Sequence, residues 1–190
     1  MRVGIARMQT TELTAKSIKE TLSDAGIDSF YLKNNSQITM ADLIIVPGGD
    51  RGVRNYFHRS LDIDTPVLGV SESESSGFLS QIELRDLSSY LNRIKKQDYV
   101  IEDAPRIGVK IDGKKAYPVL NDVAIFSSKS ATLMEHVLRV NGEEIWHDNS
   151  DGVIISTPIG SSAYSMSAGG PVIFQGANVF GIISVNSLDT

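Results

Sequence analysis

Hydrophobic and polar positions in the first half of the chain follow two alternating periods. Four strand-like runs lie at residues 3–6, 27–32, 43–46 and 65–70, and the apolar run at 43–46 is typical of a strand buried on both faces. Between the first two runs, apolar residues from Ala15 to Ala25 recur at helical spacing, and Gly26 then supplies a helix stop. Strands that alternate with helices over such short intervals predict an α/β domain with a mainly parallel sheet.

The pattern changes near residue 96. The last helix before this point has apolar residues at helical spacing, namely Leu84, Leu87, Leu91 and Ile94. Strand-like runs then follow with no helical period between them, at residues 99–102, 106–111, 117–126, 132–140 and 144–146. Asp112-Gly113 and Asn141-Gly142 predict hairpin turns of the primed type. We therefore predict an α/β domain over residues 1–96 and a β-rich domain over residues 97–190.

The composition is ordinary for a globular protein and slightly acidic. The 190 residues are 41% hydrophobic and 22% charged, and 18 Lys and Arg against 23 Asp and Glu give a net charge of -5. This balance argues against broad nucleic-acid binding, which needs a basic surface. The absence of cysteine excludes disulfides and cysteine-ligated zinc, and no apolar stretch has the length of a signal or membrane segment. We expect a soluble, cytoplasmic protein with neither a nucleic-acid nor a membrane partner.

A glycine turn with an acidic residue follows the third apolar run. Pro47-Gly48-Gly49-Asp50 comes directly after this run, so we expect the turn at the carboxyl end of the sheet, where open α/β folds bind ligands. The glycines let backbone N–H groups approach a phosphate. The Asp50 carboxylate can accept a proton from an attacking hydroxyl or help to hold Mg²⁺ near a triphosphate. The alternative is an ordinary turn in which Asp50 caps a helix from Gly52 to about His58.

Small residues follow a short apolar run in the second half. The segment from Asp151 to Pro171 reads DGVIISTPIGSSAYSMSAGGP, in which a strand opens at Pro158 into Ser, Gly and Ala. Small side chains let a ligand approach the backbone, and the hydroxyl and N–H groups supply donors for phosphate or ribose oxygens. The alternative is a Ser- and Gly-rich surface loop.

Two adjacent polar residues, Asn121 and Asp122, interrupt the strand-like run from Val119 to Phe126. Polar groups in a buried strand need partners. The asparagine can present a donor and an acceptor to an adenine edge, and the aspartate can accept from both hydroxyls of a ribose. The alternative is a bulge or a turn between two short strands.

Three segments, in order along most of the chain, resemble the signatures of the NAD kinase family. They are the strand and GGD turn at residues 43–50, the Asn-acidic pair in 120–123, and the segment 151–171, which is similar to DG-x-x-x-[ST]-T-P-x-G-S-[ST]-A-Y-x-x-[SA]-x-GGP. The resemblance implies an α/β domain followed by a β-rich domain. It also implies transfer of the γ-phosphate of ATP, or of a phosphate of polyphosphate, to the 2′-hydroxyl of the adenosine ribose of NAD, which gives NADP.

The resemblance also implies roles for individual residues. Asp50 is the expected base, and Gly48 and Gly49 are expected to lie against phosphates. The other residues expected to bind the nucleotides are Arg51, Phe78, Asn121, Asp122, Asp151, Thr157, Ser162, Ala163, Tyr164 and Ser167. Mg²⁺ or another divalent metal is expected with the phosphoryl donor. No metal-ligating residue is predicted, because the three histidines (His58, His136 and His147) lie in dissimilar segments without metal-ligand spacing.

The resemblance further implies a homo-oligomer, a dimer or a tetramer, because the family is generally oligomeric. The β-rich domain looks short at its C-terminal end relative to the family, which continues for several more strands. An unfinished sheet has an open edge, and an open edge favours association with another chain.

Arg51 is the main departure from the family, which has a third glycine (GGDG) at this position. An arginine can make a bidentate phosphate contact or can occlude the phosphoryl donor. Ser71 and Ser73 replace the usual Asn and Gly, and Ile159 stands where Thr or Ser is usual. Phe78 fits either the aromatic residue near adenine or a core phenylalanine. Three functions stay open: an NAD kinase, an NAD(P)-binding protein of the same fold with weak or no catalysis, and a different GGD kinase that acts on a lipid or a sugar.

Overall fold

The computed structural model describes residues 1–7, 11–60, 64–72 and 77–188, so the departure at Ser73 lies outside the described residues. The chain forms two compact units, Met1–Glu102 and Asp103–Thr190. The change of pattern near residue 96 precedes their junction, and the domain limits 1–96 and 97–190 stay a prediction. In the described ranges, no helix combines the length and the apolar character needed to cross a membrane.

The first unit is built on five parallel strands. Its helices and strands are β1 (Arg2–Ile5), α1 (Glu12–Asp24), β2 (Asp28–Tyr31), β3 (Leu43–Pro47), α2 (Gly49–Arg59), β4 (Val67–Ser71), β5 (Ser80–Glu83) and α3 (Leu87–Lys95). Short 3-10 turns lie at Asn35–Met40 and Leu84–Asp86. The strands are parallel and lie in the order β2-β1-β3-β4-β5. The predicted α/β architecture with a parallel sheet is confirmed, although β5 is not among the predicted strands.

Strand β3 lies at the centre of the sheet, and all of its residues are buried. Because successive side chains of a strand point to opposite faces, Leu43 and Ile45 share one apolar cluster with residues of α1 and α3. Ile44 and Val46 share the opposite cluster with residues of α2. A strand buried on both faces forms a continuous apolar run, which makes β3 visible in the sequence. Its carboxyl end is therefore a rigid support for the glycine turn that follows.

The second unit is β-rich, as predicted. Its elements are β6 (Lys110–Ile111), β7 (Lys114–Lys115), β8 (Asp122–Phe126), β9 (Met134–Val140), β10 (Glu143–Ser150), β11 (Gly152–Ser156), α4 (Tyr164–Ser167) and β12 (Gly181–Val185). Strands β6 and β7 pair as one hairpin, β9 and β10 pair as another, and β12-β11-β8 form an antiparallel sheet. Positive φ angles at Asp112 and Gly113 (49° and 78°) and at Asn141 and Gly142 (55° and 89°) confirm both primed turns.

Several predictions for the second half of the chain are wrong. Residues 99–102 form no strand, because Val100 and Ile101 are 87% and 59% exposed and pack on no sheet. The run 106–111 pairs only at a bridge between Ile107 and Val119 and in β6. The Ser- and Gly-rich segment after β11 is a 3-10 turn (Gly160–Ser162) leading into α4, not an irregular surface loop. Its small residues pack closely enough for Ser161 and Ser165 to be fully buried.

Candidate functional site

The glycine turn after β3 begins helix α2 directly. Gly48 has φ 97° and is the N-cap, and Gly49, with φ 63°, is the first helical residue. These left-handed conformations favour glycine. Asp50 lies in the first turn of α2, and no side chain caps the helix. The alternative in which Asp50 caps a helix that starts at Gly52 is therefore wrong, and the Asp50 carboxylate is used elsewhere.

The Asp50 carboxylate binds the chain that leads into β5. Its Oδ1 accepts hydrogen bonds from the N–H groups of Leu79 (2.9 Å) and Ser80 (2.9 Å) and from the Ser80 hydroxyl (3.1 Å). Its Oδ2 accepts the Phe78 N–H at 2.8 Å. Burial raises the pKa of Asp50, but these hydrogen bonds outweigh burial and hold the pKa below its usual value. The carboxylate is consequently ionised at neutral pH.

Two further predicted residues of the first unit are exposed. Phe78 is 55% exposed, so the alternative of a core phenylalanine is wrong. Arg51 is exposed in the first turn of α2. Ser71, which stands where the family has Asn, is buried at the end of β4. The first unit thus brings Asp50 and the backbone of Phe78 together and leaves both Arg51 and the Phe78 ring open to a ligand.

In the second unit, Thr157 and Gly160 hold the backbone at Asn121. The buried Thr157 hydroxyl donates to the Leu120 carbonyl (2.6 Å) and accepts the Gly160 N–H (3.0 Å), and the Thr157 N–H donates to the Asn121 carbonyl (2.8 Å). A Cβ on Gly160 would overlap the Asn121 backbone. The Thr157 hydroxyl is thus committed to backbone partners, and a nucleotide contact by Thr157 stays a prediction.

Asn121 lies in a bend just before β8, which agrees with the alternative of a turn between two short strands. Its side chain is nevertheless unusual. The Asn121 Oδ1 is buried and has no hydrogen-bond partner among the described residues. Asp122 begins β8 and pairs with Ser156 of β11. Since buried polar atoms almost always have a partner, the Asn121 amide oxygen marks a place where a ligand or a water molecule supplies one.

The remaining predicted residues of the second unit lie around α4 and at the start of β11. The Ser162 hydroxyl donates to the Ile159 carbonyl at 3.3 Å, and Ala163 precedes α4. Tyr164 is 47% exposed, and its ring stacks on that of Phe126 with centroids 6.0 Å apart. The exposed Ser167 donates to the Ala163 carbonyl at 3.4 Å. Asp151 accepts the side-chain N–H of Asn186 at 2.7 Å.

Comparison with known proteins decides the family. A family model described as the ATP-NAD kinase C-terminal domain matches residues 120–188. The NAD kinase of Clostridium perfringens is 37% identical over 164 residues, which are 84% of this chain and 58% of the relative. The NAD kinase of Methanopyrus kandleri is 33% identical over 132 residues, which are 70% of this chain and 48% of the relative. This chain belongs to the NAD kinase family.

Solved structures of NAD kinases have the same fold. The NAD kinase of Archaeoglobus fulgidus, solved in complex with ATP, matches with a TM-score of 0.81 at 26% identity, over 99% of this chain and 73% of the other. Yeast NADH kinase, solved with NADH, matches with a TM-score of 0.74 at 18% identity, over 100% of this chain and 67% of the other, which shows the fold alone. This NAD kinase family member spans about half to three fifths of the length of the curated relatives it matches.

Sequence reasoning about this NAD kinase family member missed three serines. Ser80 donates twice to Asp50, and the Ser156 and Ser165 hydroxyls are buried without a hydrogen-bond partner among the described residues. Ser156 ends an apolar run and Ser80 follows Phe78-Leu79, so a hydroxyl next to an apolar run was the available signal. Ser165 carries no such signal, because its neighbours are also small and polar.

Proposed function

We propose that this chain acts as an NAD kinase, which moves the γ-phosphate of ATP, or a phosphate of polyphosphate, to the 2′-hydroxyl of the adenosine ribose of NAD. The observation that carries this proposal is the Asp50 carboxylate, which directly follows two left-handed glycines and is fixed in place by hydrogen bonds. A preorganised carboxylate beside backbone N–H groups suits deprotonation of a hydroxyl next to a phosphate.

Asp50 Oδ2 is the oxygen best placed to act as the base. A carboxylate has about four lone-pair sites, two on each oxygen. Oδ1 accepts three hydrogen bonds, whereas Oδ2 accepts only that of Phe78 among the described residues. In the proposed step, Oδ2 takes the proton of the ribose 2′-hydroxyl while the 2′-oxygen bonds to the γ-phosphorus. The bond from that phosphorus to the bridging oxygen breaks, and ADP leaves with the electron pair.

The phosphoryl donor is expected to meet Gly48, Gly49 and Arg51. The two glycines have no side chains that block a phosphate, and the Arg51 guanidinium supplies a bidentate donor and a positive charge. Mg²⁺ or another divalent ion enters with the donor phosphates, as part of that substrate, and neutralises their charge. The described residues contain no group of three or more His, Cys, Asp or Glu arranged to hold a metal ion by themselves.

The second unit is expected to hold NAD. The unpartnered Asn121 Oδ1 fits an acceptor for the adenine amino group, and Asp122 fits an acceptor for ribose hydroxyls. The exposed Tyr164 offers an aromatic surface and a hydroxyl. The other residues of the second unit proposed to contact NAD are Asp151, Thr157, Ser162, Ala163 and Ser167, and Phe78 of the first unit is a further proposed contact.

A second candidate function is NAD(P) binding without phosphoryl transfer. Two observations favour it: Asp50 is already engaged by four hydrogen bonds, and Arg51 replaces the third glycine of the GGDG pattern. A protein of this kind would keep the contacts of Asn121 and Tyr164 and would lack turnover.

The test is NADP formation from NAD, with Mg²⁺ and either ATP or polyphosphate, measured beside calorimetric binding of NAD. If the chain is an NAD kinase, NADP forms with at least one phosphoryl donor. The comparison of ATP with polyphosphate then identifies which donor is used. NAD binding with no NADP from either donor would support the second candidate, and Arg51→Gly would then show whether Arg51 causes the loss. If the chain neither binds NAD nor forms NADP, both functions are refuted for this chain.

The family resemblance also supports a homo-oligomer, a dimer or a tetramer, in the cytoplasm. Sedimentation equilibrium of the chain with and without NAD tests the first expectation. A single monomeric species under both conditions would contradict it.

A further inference from the structure

Ser80 donates two hydrogen bonds to the same oxygen of Asp50. Its backbone N–H reaches Oδ1 at 2.9 Å, and its hydroxyl reaches Oδ1 at 3.1 Å. Ser80 is fully buried at the first position of β5, a strand that pairs with β4 in the parallel sheet. The donor pair is therefore anchored in the rigid part of the first unit.

The Ser80 hydroxyl also lies close to the glycine turn. A Cβ built on Gly49 would lie 3.8 Å from Ser80 Oγ. The hydroxyl is thus in the immediate surroundings of both Gly49 and Asp50, on the side where the donor phosphates are proposed to bind. A buried hydroxyl that donates to a carboxylate has a more specific role than one that completes a backbone turn.

The three donors on Oδ1 fix the plane of the carboxylate. A half turn about the Cβ–Cγ bond exchanges two equivalent oxygens and changes nothing, whereas a quarter turn takes both oxygens away from their donors and turns the lone pairs of the less crowded oxygen aside. Leu79 and Ser80 N–H groups favour the observed orientation, and the Ser80 hydroxyl is the one donor of this set that a side-chain substitution can remove. Its loss would leave two donors at that oxygen and hold the carboxylate plane less firmly in the orientation that faces the reacting hydroxyl.

We propose that Ser80 is a positioning residue that fixes the Asp50 carboxylate with Oδ2 directed to the reacting hydroxyl. This proposal rests on the proposed phosphoryl transfer, since it assigns Ser80 a role in that reaction. Ser80 contacts the base and acts on the reaction only through it.

The experiment compares Ser80→Ala, Ser80→Thr and Ser80→Cys with the parent in steady-state NADP formation. We expect Ser80→Ala to lower kcat by about 2- to 10-fold, the value of one net hydrogen bond, with KM for NAD unchanged within twofold. Ser80→Thr restores kcat because it retains the hydroxyl, and Ser80→Cys gives an intermediate kcat because a thiol is a weak donor. Ser89→Ala is the matched control, because the Ser89 hydroxyl donates to the Asp86 carbonyl on the surface of the same unit.

A second readout does not depend on activity. The side-chain carboxyl carbon of Asp50, followed by NMR in labelled protein, is expected to shift in Ser80→Ala and to return towards the parent position in Ser80→Thr. An unchanged kcat and an unchanged Asp50 signal in Ser80→Ala would overturn the proposal. An equal loss of kcat in the alanine and threonine variants would also overturn it. If the parent forms no NADP, the proposed function fails, and the Asp50 signal still decides whether Ser80 fixes the carboxylate.

Discussion

The Phe78 N–H donates to Asp50 Oδ2 at a distance of 2.8 Å, so the residue proposed as the base also fixes the backbone of the aromatic residue proposed to contact the nucleoside. Asp50 lies in α2, and Phe78 precedes β5. One carboxylate therefore links the turn proposed to bind the donor phosphates with the segment proposed to bind NAD. In the proposed function, NAD binding and phosphoryl transfer would therefore be coupled through the Asp50 side chain.

This coupling predicts that Asp50→Asn weakens NAD binding as well as catalysis. An amide has one acceptor oxygen, so it cannot replace both carboxylate oxygens, and the Phe78 N–H or the Leu79 and Ser80 donors lose their partner. We expect no measurable NADP formation and an affinity for NAD that is about 3- to 10-fold lower by calorimetry. Amide hydrogen exchange at residues 78–80 is expected to be faster.

Asp24→Asn is the control, because Asp24 is an exposed carboxylate at the end of α1. It is expected to leave NAD affinity and the exchange at residues 78–80 unchanged. Parent-like NAD affinity and exchange in Asp50→Asn would show that Asp50 does not hold the Phe78 segment.

The same hydrogen bonds predict how stability depends on pH. Burial raises the pKa of Asp50, but the hydrogen bonds from Leu79, Ser80 and Phe78 outweigh burial and hold this pKa below its usual 3.8. The unfolded carboxyl then takes up a proton at a higher pH than the folded one. The stability that ionised Asp50 contributes is complete above the usual pKa and is lost as the pH falls through the lower, folded value.

We expect the urea midpoint of the parent to fall more steeply below about pH 4 than that of Asp50→Asn. The measurement follows the helical circular dichroism signal, to which α1, α2 and α3 of the first unit contribute most. Asp148, whose pKa is lowered by a hydrogen bond from Ser184 against the opposing effect of burial, titrates in both proteins and does not affect the difference. Parallel pH profiles for the two proteins would contradict the assignment.

The sequence predicted the parallel sheet because β3 is buried on both faces and forms an uninterrupted apolar run. It predicted both hairpins because Asp-Gly and Asn-Gly favour positive φ at two successive positions. It did not predict β5, in which Ile82 is the one apolar residue, because an edge strand of four residues with three polar positions has no distinct periodicity.

For the candidate site, the sequence named residues but not the contacts between them, and the roles of these residues stay a prediction. The motifs pointed to Asp50 and Asn121, since acidic and amide side chains beside glycine and apolar runs are chemically distinctive. The bonds from residues 78–80 to Asp50 join positions about thirty residues apart, and they arise because β4 and β5 are adjacent in the sheet. No local pattern encodes such a contact. For the same reason, the hydrogen bonds of the Thr157 hydroxyl to backbone partners could be identified only from the structure.

The close packing of Gly160 against Asn121 predicts a large effect of one methyl group. A Cβ on Gly160 would overlap the Asn121 carbonyl, which is backbone and cannot turn away. We expect Gly160→Ala to destabilise the second unit by about 1–3 kcal/mol and to reduce NAD binding, because the bend at Asn121 must move. Thermal unfolding followed by Trp146 fluorescence reports on this unit.

Gly176→Ala is the matched control, since a Cβ on Gly176 would have no atom within 4 Å. It is expected to unfold at the parent temperature. Equal unfolding temperatures for Gly160→Ala and Gly176→Ala would mean that the packing at Asn121 is loose enough to accept a methyl group.

The unpartnered Asn121 amide oxygen predicts opposite effects on stability and on binding. Removing a buried polar atom that has no partner costs the ligand-free protein little, whereas a nucleotide that uses this atom loses a hydrogen bond. We expect Asn121→Ala to retain or raise the unfolding temperature without NAD and to lower NAD affinity about tenfold. Asn178→Ala, at an exposed position of the same unit, is expected to change neither quantity. A destabilised Asn121→Ala with parent-like affinity would assign Asn121 a purely structural role.

Phosphoryl transfer to NAD can be followed atom by atom with an isotope-labelled phosphoryl donor. The chain is incubated with NAD, Mg²⁺ and ATP labelled in the γ-phosphate, beside labelled polyphosphate, and the product is located by phosphorus NMR. We expect label on the 2′-position of the adenosine ribose of NAD, and no label with Asp50→Asn. Bound NAD that stays unlabelled with both donors, in the parent and in Arg51→Gly alike, would contradict it.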